Sequence, residues 1–201
     1  MRKILFPMAL IAIVSLSLLA KNEPAAGGNK AALGQAAPDF SLTNQEGKEI
    51  KLSELQGKLV VLEWLNPACP YVQRHYKAKT MATLADKYAE QGVVWLAINS
   101  TGHYSADAMK SFIDDHKLSY SILNDVKTDV AKAYGATTTP DMFVIDKDGK
   151  LAYMGAIDND PDGKATERTN YVDQALQELL ASKSVSTPET KSYGCHVKWA
   201  D

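Results

Sequence analysis

One stretch constrains the fold of this chain more than any other: an apolar segment, a cysteine, and then a helical pattern. Residues 59–65 are apolar apart from Glu63, which is typical of a strand buried on both faces of a parallel sheet. Residues 71–91 carry apolar side chains at helical spacing and predict a helix. Cys69 and Pro70 lie between the two, and proline is favoured in the first turn of a helix. The pattern therefore predicts a cysteine at the junction between a buried strand and a helix.

The position of Cys69 makes it the candidate nucleophile. A helix N-terminus carries partial positive charge and unpaired backbone N–H groups, and both stabilise a thiolate relative to a thiol. Arg74 and His75 follow within two turns and would add positive charge if they face the cysteine. The alternative is that Cys69 is a small, buried and inert apolar residue.

The rest of the chain alternates between strand and helix patterns. Residues 39–52 predict an N-terminal β-hairpin, 92–100 a second buried strand, and 142–154 a further hairpin. The other predicted elements are a helix that begins after Ser105, a strand at 120–123, and helices at 126–134 and 170–183. This order predicts an α/β fold in which a central mixed β-sheet is covered by helices on both faces.

Composition excludes several classes of protein. The 201 residues carry 22 basic and 24 acidic side chains, and such a balance gives no indication of nucleic-acid binding. The two cysteines are too few for a small disulfide scaffold. A chain of this length can bury one substantial core, so we expect one folded domain.

Three motifs connect the chain to a known family. They are Asn66-Pro-Ala-Cys69-Pro-Tyr-Val72, Ala136-Thr-Thr-Thr-Pro-Asp141 and Gly194-Cys-His-Val-Lys-Trp199. Together they resemble thioredoxin-like redoxins of the alkyl hydroperoxide reductase / thiol-specific antioxidant group, in its peroxiredoxin-like branch. The resemblance runs from about residue 34 to residue 199 and implies a thioredoxin-like fold, with a cis peptide bond before Pro140 beside the reactive cysteine. We accordingly predict substrate contacts for Pro70, Thr139, Pro140 and Arg74.

The chain departs from the family at the position of Val72. A thioredoxin has the second cysteine of its Cys-x-x-Cys motif there, and the peroxide-reactive cysteine of a peroxiredoxin also matches this position. Whether hydroperoxides are reduced is therefore left open. Cys195, the only other cysteine, is the candidate resolving thiol, which attacks after Cys69 has reacted. The alternative is a static structural disulfide between Cys69 and Cys195.

Glu63 is predicted to serve as a buried acid beneath the site. Burial raises the pKa of a carboxyl group, which could then exchange a proton with the Cys69 thiol. The alternative is a carboxylate at a sheet edge that reaches water.

Four segments are expected along the chain. Residues 1–20 begin with two basic side chains and continue as an apolar run, as a signal peptide does, although an uncleaved anchor is the alternative. Residues 21–33 predict a flexible linker, 34–183 the thioredoxin-like domain, and 184–201 a C-terminal tail that carries Cys195 and can move. We expect an exported, periplasmic protein with no other membrane contact, in a compartment where disulfides persist.

The predicted function is that of a thiol-based oxidoreductase, or peroxiredoxin-like antioxidant protein, that needs no cofactor. Its substrate would be a protein or small-molecule disulfide or a hydroperoxide, and an external reductant would regenerate it. One alternative is a carrier of copper or another soft metal, bound by Cys69, His75, Cys195 and His196. The other is a thioredoxin-fold module that binds partners without chemistry.

An acidic run at 158–163 has the opening spacing of a calcium loop. Its acidic residues are Asp158, Asp160 and Asp162, but Thr169 stands where such a loop needs a glutamate. We therefore expect a solvated turn.

Overall fold

The computed structural model describes residues 30–102 and 104–199. The predicted signal peptide, and residues 21–29 of the predicted linker, lie outside the described residues. In chain order the elements are β1 Ser41–Asn44, β2 Glu49–Lys51, a 3₁₀ turn Leu52–Leu55, β3 Val60–Leu65, α1 Pro70–Lys77, α2 Thr80–Ala89, β4 Val94–Asn99, α3 Ala106–His116, β5 Ser121–Asn124, α4 Asp129–Tyr134, β6 Thr138–Thr139, β7 Met142–Ile145, β8 Leu151–Gly155, α5 Tyr171–Leu180 and β9 Cys195–His196. Within the described ranges, no helix is long and apolar enough to cross a bilayer.

Seven strands form one mixed sheet in the order β2-β1-β5-β4-β3-β7-β8. Strands β3, β4 and β5 run parallel, whereas β7 is antiparallel to β3 and β1 to β5. Every residue of β3 is buried, as its apolar run predicts. Alternate residues of β3 enter two apolar clusters, one packed by α1, α2, α3 and α5 and the other by α4 and the N-terminal hairpin. Because side chains alternate across a strand, these clusters are the two faces of the sheet. The prediction of a mixed sheet with helices on both faces is confirmed.

The prediction of a single helix over 71–91 is wrong, because the segment forms two helices. Helix α1 ends at Lys77, and Lys79 then adopts a left-handed conformation with φ of 56°. Helix α2 begins directly afterwards at Thr80. Neither glycine nor proline marks this break, so the periodic pattern alone could not reveal it. The break limits α1 to eight residues, so all side chains that α1 places near Cys69 come from Pro70–Lys77.

The C-terminal tail is packed onto the domain in this structure, and its mobility stays a prediction. Thr190 N–H donates to the Met154 carbonyl at 3.1 Å, and the Thr190 hydroxyl accepts from Ala156 N at 2.9 Å. A Cβ on Gly155 would lie 2.2 Å from the Thr190 carbonyl oxygen, so only glycine allows this approach. Further along, β9 pairs with β6 in a separate two-stranded sheet. The tail therefore returns across the end of the domain that carries Cys69.

Candidate active site

Cys69 lies where β3 ends and α1 begins, as predicted. It is the N-cap residue of α1, and Pro70 occupies the first helical position. A tight turn leads into it, since Cys69 N–H donates to the Asn66 carbonyl at 2.9 Å and Asn66 Oδ1 accepts from Ala68 N at 3.0 Å. The Cys69 side chain packs in an apolar cluster and the residue is only 1% exposed.

The loop before β7 lies against the Cys69 sulfur. The Thr139–Pro140 peptide bond is cis, which confirms what the resemblance implied. The Cys69 thiol donates to the Thr139 carbonyl at 2.9 Å. Of the residues predicted to contact the substrate, Thr139 and Pro140 are therefore beside the nucleophile, and Pro70 is exposed next to it.

The tail brings Cys195 to the same place. Strand β9 is antiparallel to β6, with Cys195 opposite Thr139, and the Thr139 hydroxyl donates to the Cys195 carbonyl at 3.4 Å. A Cβ on Gly194 would lie 2.1 Å from the Thr139 carbonyl oxygen, so the glycine before Cys195 allows the two chains to approach. Both cysteines are free thiols, and the two side chains lie close enough that each shifts the pKa of the other.

The two thiols have opposite acidities. Burial alone would raise the pKa of Cys69, but hydrogen bonds from the Cys195 thiol, the Thr139 side chain and the Val72 backbone N–H outweigh it, and the pKa is lowered. Burial, the largest cause, and the neighbouring Cys69 together raise the pKa of Cys195 to about 11. Cys69 is therefore the more acidic thiol of the pair, and Cys195 is the one that more readily keeps its proton.

Glu63 is fully buried in the centre of the sheet. Its carboxylate accepts from the Tyr76 hydroxyl at 2.8 Å, from Trp95 Nε1 at 3.0 Å and from the Tyr120 hydroxyl at 3.4 Å. Burial raises the pKa of Glu63 to about 7, although these three hydrogen bonds oppose the rise. The alternative of a water-facing carboxylate is wrong. Glu63 makes no hydrogen bond to Cys69 in the described structure, but Tyr76 packs in the same apolar cluster as Cys69.

Arg74 is directed away from the Cys69 thiol. Its guanidinium donates to the Asp160 carbonyl at 2.9 Å and to the Pro161 carbonyl at 2.6 Å. His75 likewise turns to the tail, with Nε2 3.0 Å from the Tyr193 hydroxyl. The expectation that Arg74 contacts the substrate has no support in this geometry, because its donors are occupied by backbone carbonyls.

The acidic run at 158–163 is not the expected solvated turn. Asp158 and Asp160 are 1% and 3% exposed, and Arg168 approaches both, with Nε 3.5 Å from Asp158 and Nη2 2.7 Å from Asp160. Tyr193 donates its hydroxyl to Asp158 at 2.5 Å. Sequence reasoning missed these contacts, since the only signal was the close spacing of the acidic residues.

The described residues contain no group of three or more His, Cys, Asp or Glu side chains that could hold a metal ion. The four side chains proposed as soft-metal ligands therefore do not converge there. His75 instead contacts Tyr193, and the two cysteines contact each other.

Comparisons with known proteins found one matching family model, curated relatives and similar solved structures. The model of the AhpC/TSA family matches residues 33–154. Among curated proteins, "Thiol-disulfide oxidoreductase ResA" of Bacillus thuringiensis subsp. konkukian (strain 97-27) is 33% identical over 122 residues, which cover 61% of this chain and 68% of that protein. A crystal structure of a hypothetical protein from Sinorhizobium meliloti 1021 has a TM-score of 0.77 and 29% identity, and the match covers 86% of this chain and 97% of that one. An uncharacterized conserved protein from Geobacillus kaustophilus has a TM-score of 0.77 and 30% identity, over 86% and 94% of the two chains.

Proposed function

This chain belongs to the AhpC/TSA family, and on that premise we propose that it is a thiol–disulfide oxidoreductase in which Cys69 attacks and Cys195 resolves. The thioredoxin-like fold expected from the resemblance is confirmed. The enzyme class predicted from the sequence agrees with the name of the curated relatives. The single observation that carries the residue assignment is the contact between two free thiols whose pKa values are shifted in opposite directions.

In the first step the Cys69 thiolate attacks one sulfur of the substrate disulfide. The substrate S–S bond breaks, one substrate thiolate leaves, and a mixed disulfide forms between Cys69 and the other substrate sulfur. The helix N-terminus and the hydrogen bonds to Cys69 favour the thiolate needed for this attack. Thr139 and Pro140 are the proposed substrate contacts, because they lie against the attacking sulfur.

In the second step Cys195 attacks the Cys69 sulfur of the mixed disulfide. The bond to the substrate breaks, the proton of Cys195 passes to the departing substrate thiolate, and a Cys69–Cys195 disulfide forms. The net reaction reduces the substrate disulfide to two thiols and oxidises the enzyme dithiol. An external reductant must then return the enzyme to the dithiol state.

Glu63 is the proposed proton-holding group beneath the site. Its pKa of about 7 suits a group that gains and loses a proton near neutral pH. Because its hydrogen bonds go to Tyr76, Trp95 and Tyr120, we assign it an influence on the pH dependence of the reaction and no direct contact with the substrate.

The test uses dithiobis(nitrobenzoate), an aromatic disulfide that releases one coloured thiolate in each step. The reduced wild-type protein should release two equivalents and end as an intramolecular disulfide. Cys195→Ser should release one equivalent and retain a Cys69 adduct that mass spectrometry detects, and Cys69→Ser should lose catalysed turnover with an added thiol reductant. Wild-type turnover by Cys195→Ser would show that Cys195 does not resolve the mixed disulfide.

The same variants test the antioxidant role. With a hydroperoxide in place of the disulfide, Cys195→Ser should stop at a Cys69 sulfenate, a mass increase of one oxygen. If the protein leaves the hydroperoxide unreduced while it still reduces disulfides, the peroxiredoxin-like role is wrong and the disulfide activity stands.

We also propose that the protein is exported. The support is the basic and apolar pattern of residues 1–20 and a mechanism that forms a disulfide, which persists outside the cytoplasm. Expression in a Gram-negative host should give a periplasmic protein whose measured mass is that of the chain starting at Lys21. A full-length cytoplasmic product would contradict export.

A further inference from the structure

A cluster of side chains ties the tail to α1 two residues before Cys195. We refer to it as the Tyr193 latch, and it consists of Tyr193, His75, Arg74, Asp158 and Arg168. The Tyr193 hydroxyl lies 2.5 Å from Asp158 Oδ1 and 3.0 Å from His75 Nε2. Arg74 lies over the Tyr193 ring, with its guanidinium carbon 5.8 Å from the ring centre. The latch thus contacts the tail by both hydrogen bonds and ring packing.

The latch is built from buried groups that depend on one another. Asp158 and His75 are each 1% exposed. Asp158 Oδ2 makes no hydrogen bond among the described residues, and the Arg168 guanidinium at 3.5 Å is its ion-pair partner. A buried carboxylate without such partners is costly, so Tyr193 and Arg168 together keep Asp158 in place.

The direction of the hydrogen bonds follows from the proton count. Tyr193 has one hydroxyl proton, which it donates to the Asp158 carboxylate. The Tyr193 oxygen also accepts from Arg74 Nη2 at 3.4 Å, because a guanidinium can only donate. The role of His75 Nε2, which lies 3.2 Å from the same Arg74 nitrogen, depends on its tautomer. The chain of donors therefore runs from α1 through the tail to the loop that carries Asp158.

We propose that Tyr193 is a positioning residue for the resolving step, and that the latch holds Cys195 where it can attack the Cys69 sulfur. This inference rests on the proposed function. Gly194 alone separates Tyr193 from Cys195, and on the other side Val197 N–H donates to the Thr137 carbonyl at 3.0 Å. Cys195 is thus held from both sides, at the latch and at the edge of β6.

Loss of the latch should slow the second step and not the first. The first step joins Cys69 to the substrate and needs no sulfur from the tail. The second step converts the Cys69 mixed disulfide and the Cys195 thiol into the Cys69–Cys195 disulfide and a free substrate thiol. An intramolecular attack of this kind depends steeply on the placement of the attacking atom, and a shift of about 1 Å can cost roughly a hundredfold in rate.

The experiment measures both phases of thionitrobenzoate release by stopped flow in Tyr193→Phe. Phenylalanine keeps the ring contacts and removes the hydroxyl, so the second phase should slow by roughly tenfold or more. The first phase should not slow, because a looser tail leaves Cys69 at least as accessible, and the mixed disulfide should accumulate. Tyr171→Phe is the matched control, because the Tyr171 hydroxyl makes no hydrogen bond among the described residues.

A second variant keeps the proposal testable if Tyr193→Phe does not fold. Asp158→Asn retains an acceptor for Tyr193 but removes the negative charge, and it should slow the second phase in the same way. Since both changes break one interaction, the double variant should be little slower than Tyr193→Phe alone.

The possible results separate this proposal from the proposed function. A wild-type protein without a second phase would remove the resolving role of Cys195 and the latch with it. Two normal wild-type phases with an unchanged second phase in Tyr193→Phe and in Asp158→Asn would overturn the latch alone. Equal slowing of both phases would also overturn it, because that is the effect of a general structural change.

Discussion

His75 and Tyr76 are neighbours on α1, yet they enter two different buried polar clusters. Tyr76 donates its hydroxyl to Glu63 at 2.8 Å. His75 contacts Tyr193, whose hydroxyl donates to Asp158 at 2.5 Å. Each cluster therefore contains a tyrosine hydroxyl that donates to a buried carboxylate.

The two clusters differ in whether a cation is present. Glu63 receives hydrogen bonds from neutral donors, and burial raises its pKa to about 7. Arg168 approaches Asp158 and Asp160 in the latch. Burial would raise the pKa of Asp160, but the backbone N–H groups of residues 164 and 165 and the Arg168 guanidinium lower it to about 2. A buried carboxylate can thus store a proton, as in Glu63, or hold a charge, as in Asp160, where backbone N–H groups and a guanidinium favour the charged form.

The largest predicted effect concerns the proton on Glu63. Its pKa is 4.5 in the unfolded chain and about 7 in the folded one, so the folded state binds more protons between these values. Its contribution to stability is complete below pH 4.5 and is lost as the pH rises through 7. At about 1.4 kcal/mol per pKa unit, the loss is about 3 kcal/mol.

Glu63→Gln should remove this pH dependence from the free energy of unfolding. Urea unfolding of the reduced protein at several pH values measures it, and the difference between wild type and variant isolates Glu63. Asp141, whose pKa burial also raises to about 7, contributes equally to both proteins. The first phase of the disulfide reaction should also change its pH profile. An identical profile would exclude Glu63 from the chemistry.

His75 should give the opposite pH dependence. Burial is the largest cause that lowers its pKa, from 6.5 to about 4. The negative charges of Asp158 and Asp160 raise the pKa of His75. The positive charges of Arg74 and Arg168 lower it. Its contribution to stability is complete above pH 6.5 and is lost as the pH falls through 4.

His75→Gln keeps a side chain that can hydrogen-bond to Tyr193. The loss in the free energy of unfolding as the pH falls from 6.5 to 4 should be smaller in this variant by about 2 to 3 kcal/mol. Urea unfolding between about pH 4 and 7 makes the measurement, with Glu63→Gln as the control that changes the slope over nearly the same pH range in the opposite direction. A curve that stays as steep as wild type on the acid side would contradict the assignment.

Removal of the Arg168 cation should change the free energy of unfolding by less than the Glu63 and His75 substitutions do. Arg168→Met leaves Asp158 without its ion-pair partner, and breaking a buried pair costs about 3 kcal/mol or more. Since the Arg168 side chain is 39% exposed, we expect a loss of about 2 kcal/mol in the free energy of unfolding. Lys110→Met is the control, because its pair with Asp107 is exposed and should be worth below about 0.5 kcal/mol. Equal losses in the two variants would remove the distinction.

The smallest effect should come from Tyr76→Phe, which removes one neutral donor from Glu63. The loss of one hydrogen bond to a buried group costs about 1 kcal/mol. That bond favours the charged carboxylate, so its removal should raise the pKa of Glu63 and move the midpoint of the stability curve to higher pH. An unmoved midpoint would mean that Trp95 and Tyr120 alone set the pKa.

The sheet and the nucleophile could be predicted from the sequence because their signals are local. The apolar run before Cys69 indicates a buried strand, and Pro70 marks the helix start in the same short stretch. Glu63 stands out because it is the one charged residue in that run. Two of the predicted helices start at Ser105 and Asn170, and each of these side chains accepts a hydrogen bond within the first turn.

The latch could not be predicted because its members come together only through the path of the tail. Tyr193 and Asp158 are far apart in the chain and join across the folded domain. The tail has no apolar period, so its packing depends on single positions such as Gly155 and Gly194, where the absence of a side chain allows a close approach. The left-handed Lys79 gives no sequence signal either.

The pairing of β9 with β6 also affects the rate at which molecules from solution reach Cys69. Cys69 is 1% exposed, so an outside disulfide reacts only in those molecules whose tail has lifted. When lifting and closing are fast, the observed rate is the rate of the open form multiplied by the open fraction. The tail acts as a tethered competitor at a high effective concentration. A reactant that pairs with β6 in place of β9 lengthens the lifetime of the form with the lifted tail. A reactant that only collides with the Cys69 sulfur does not.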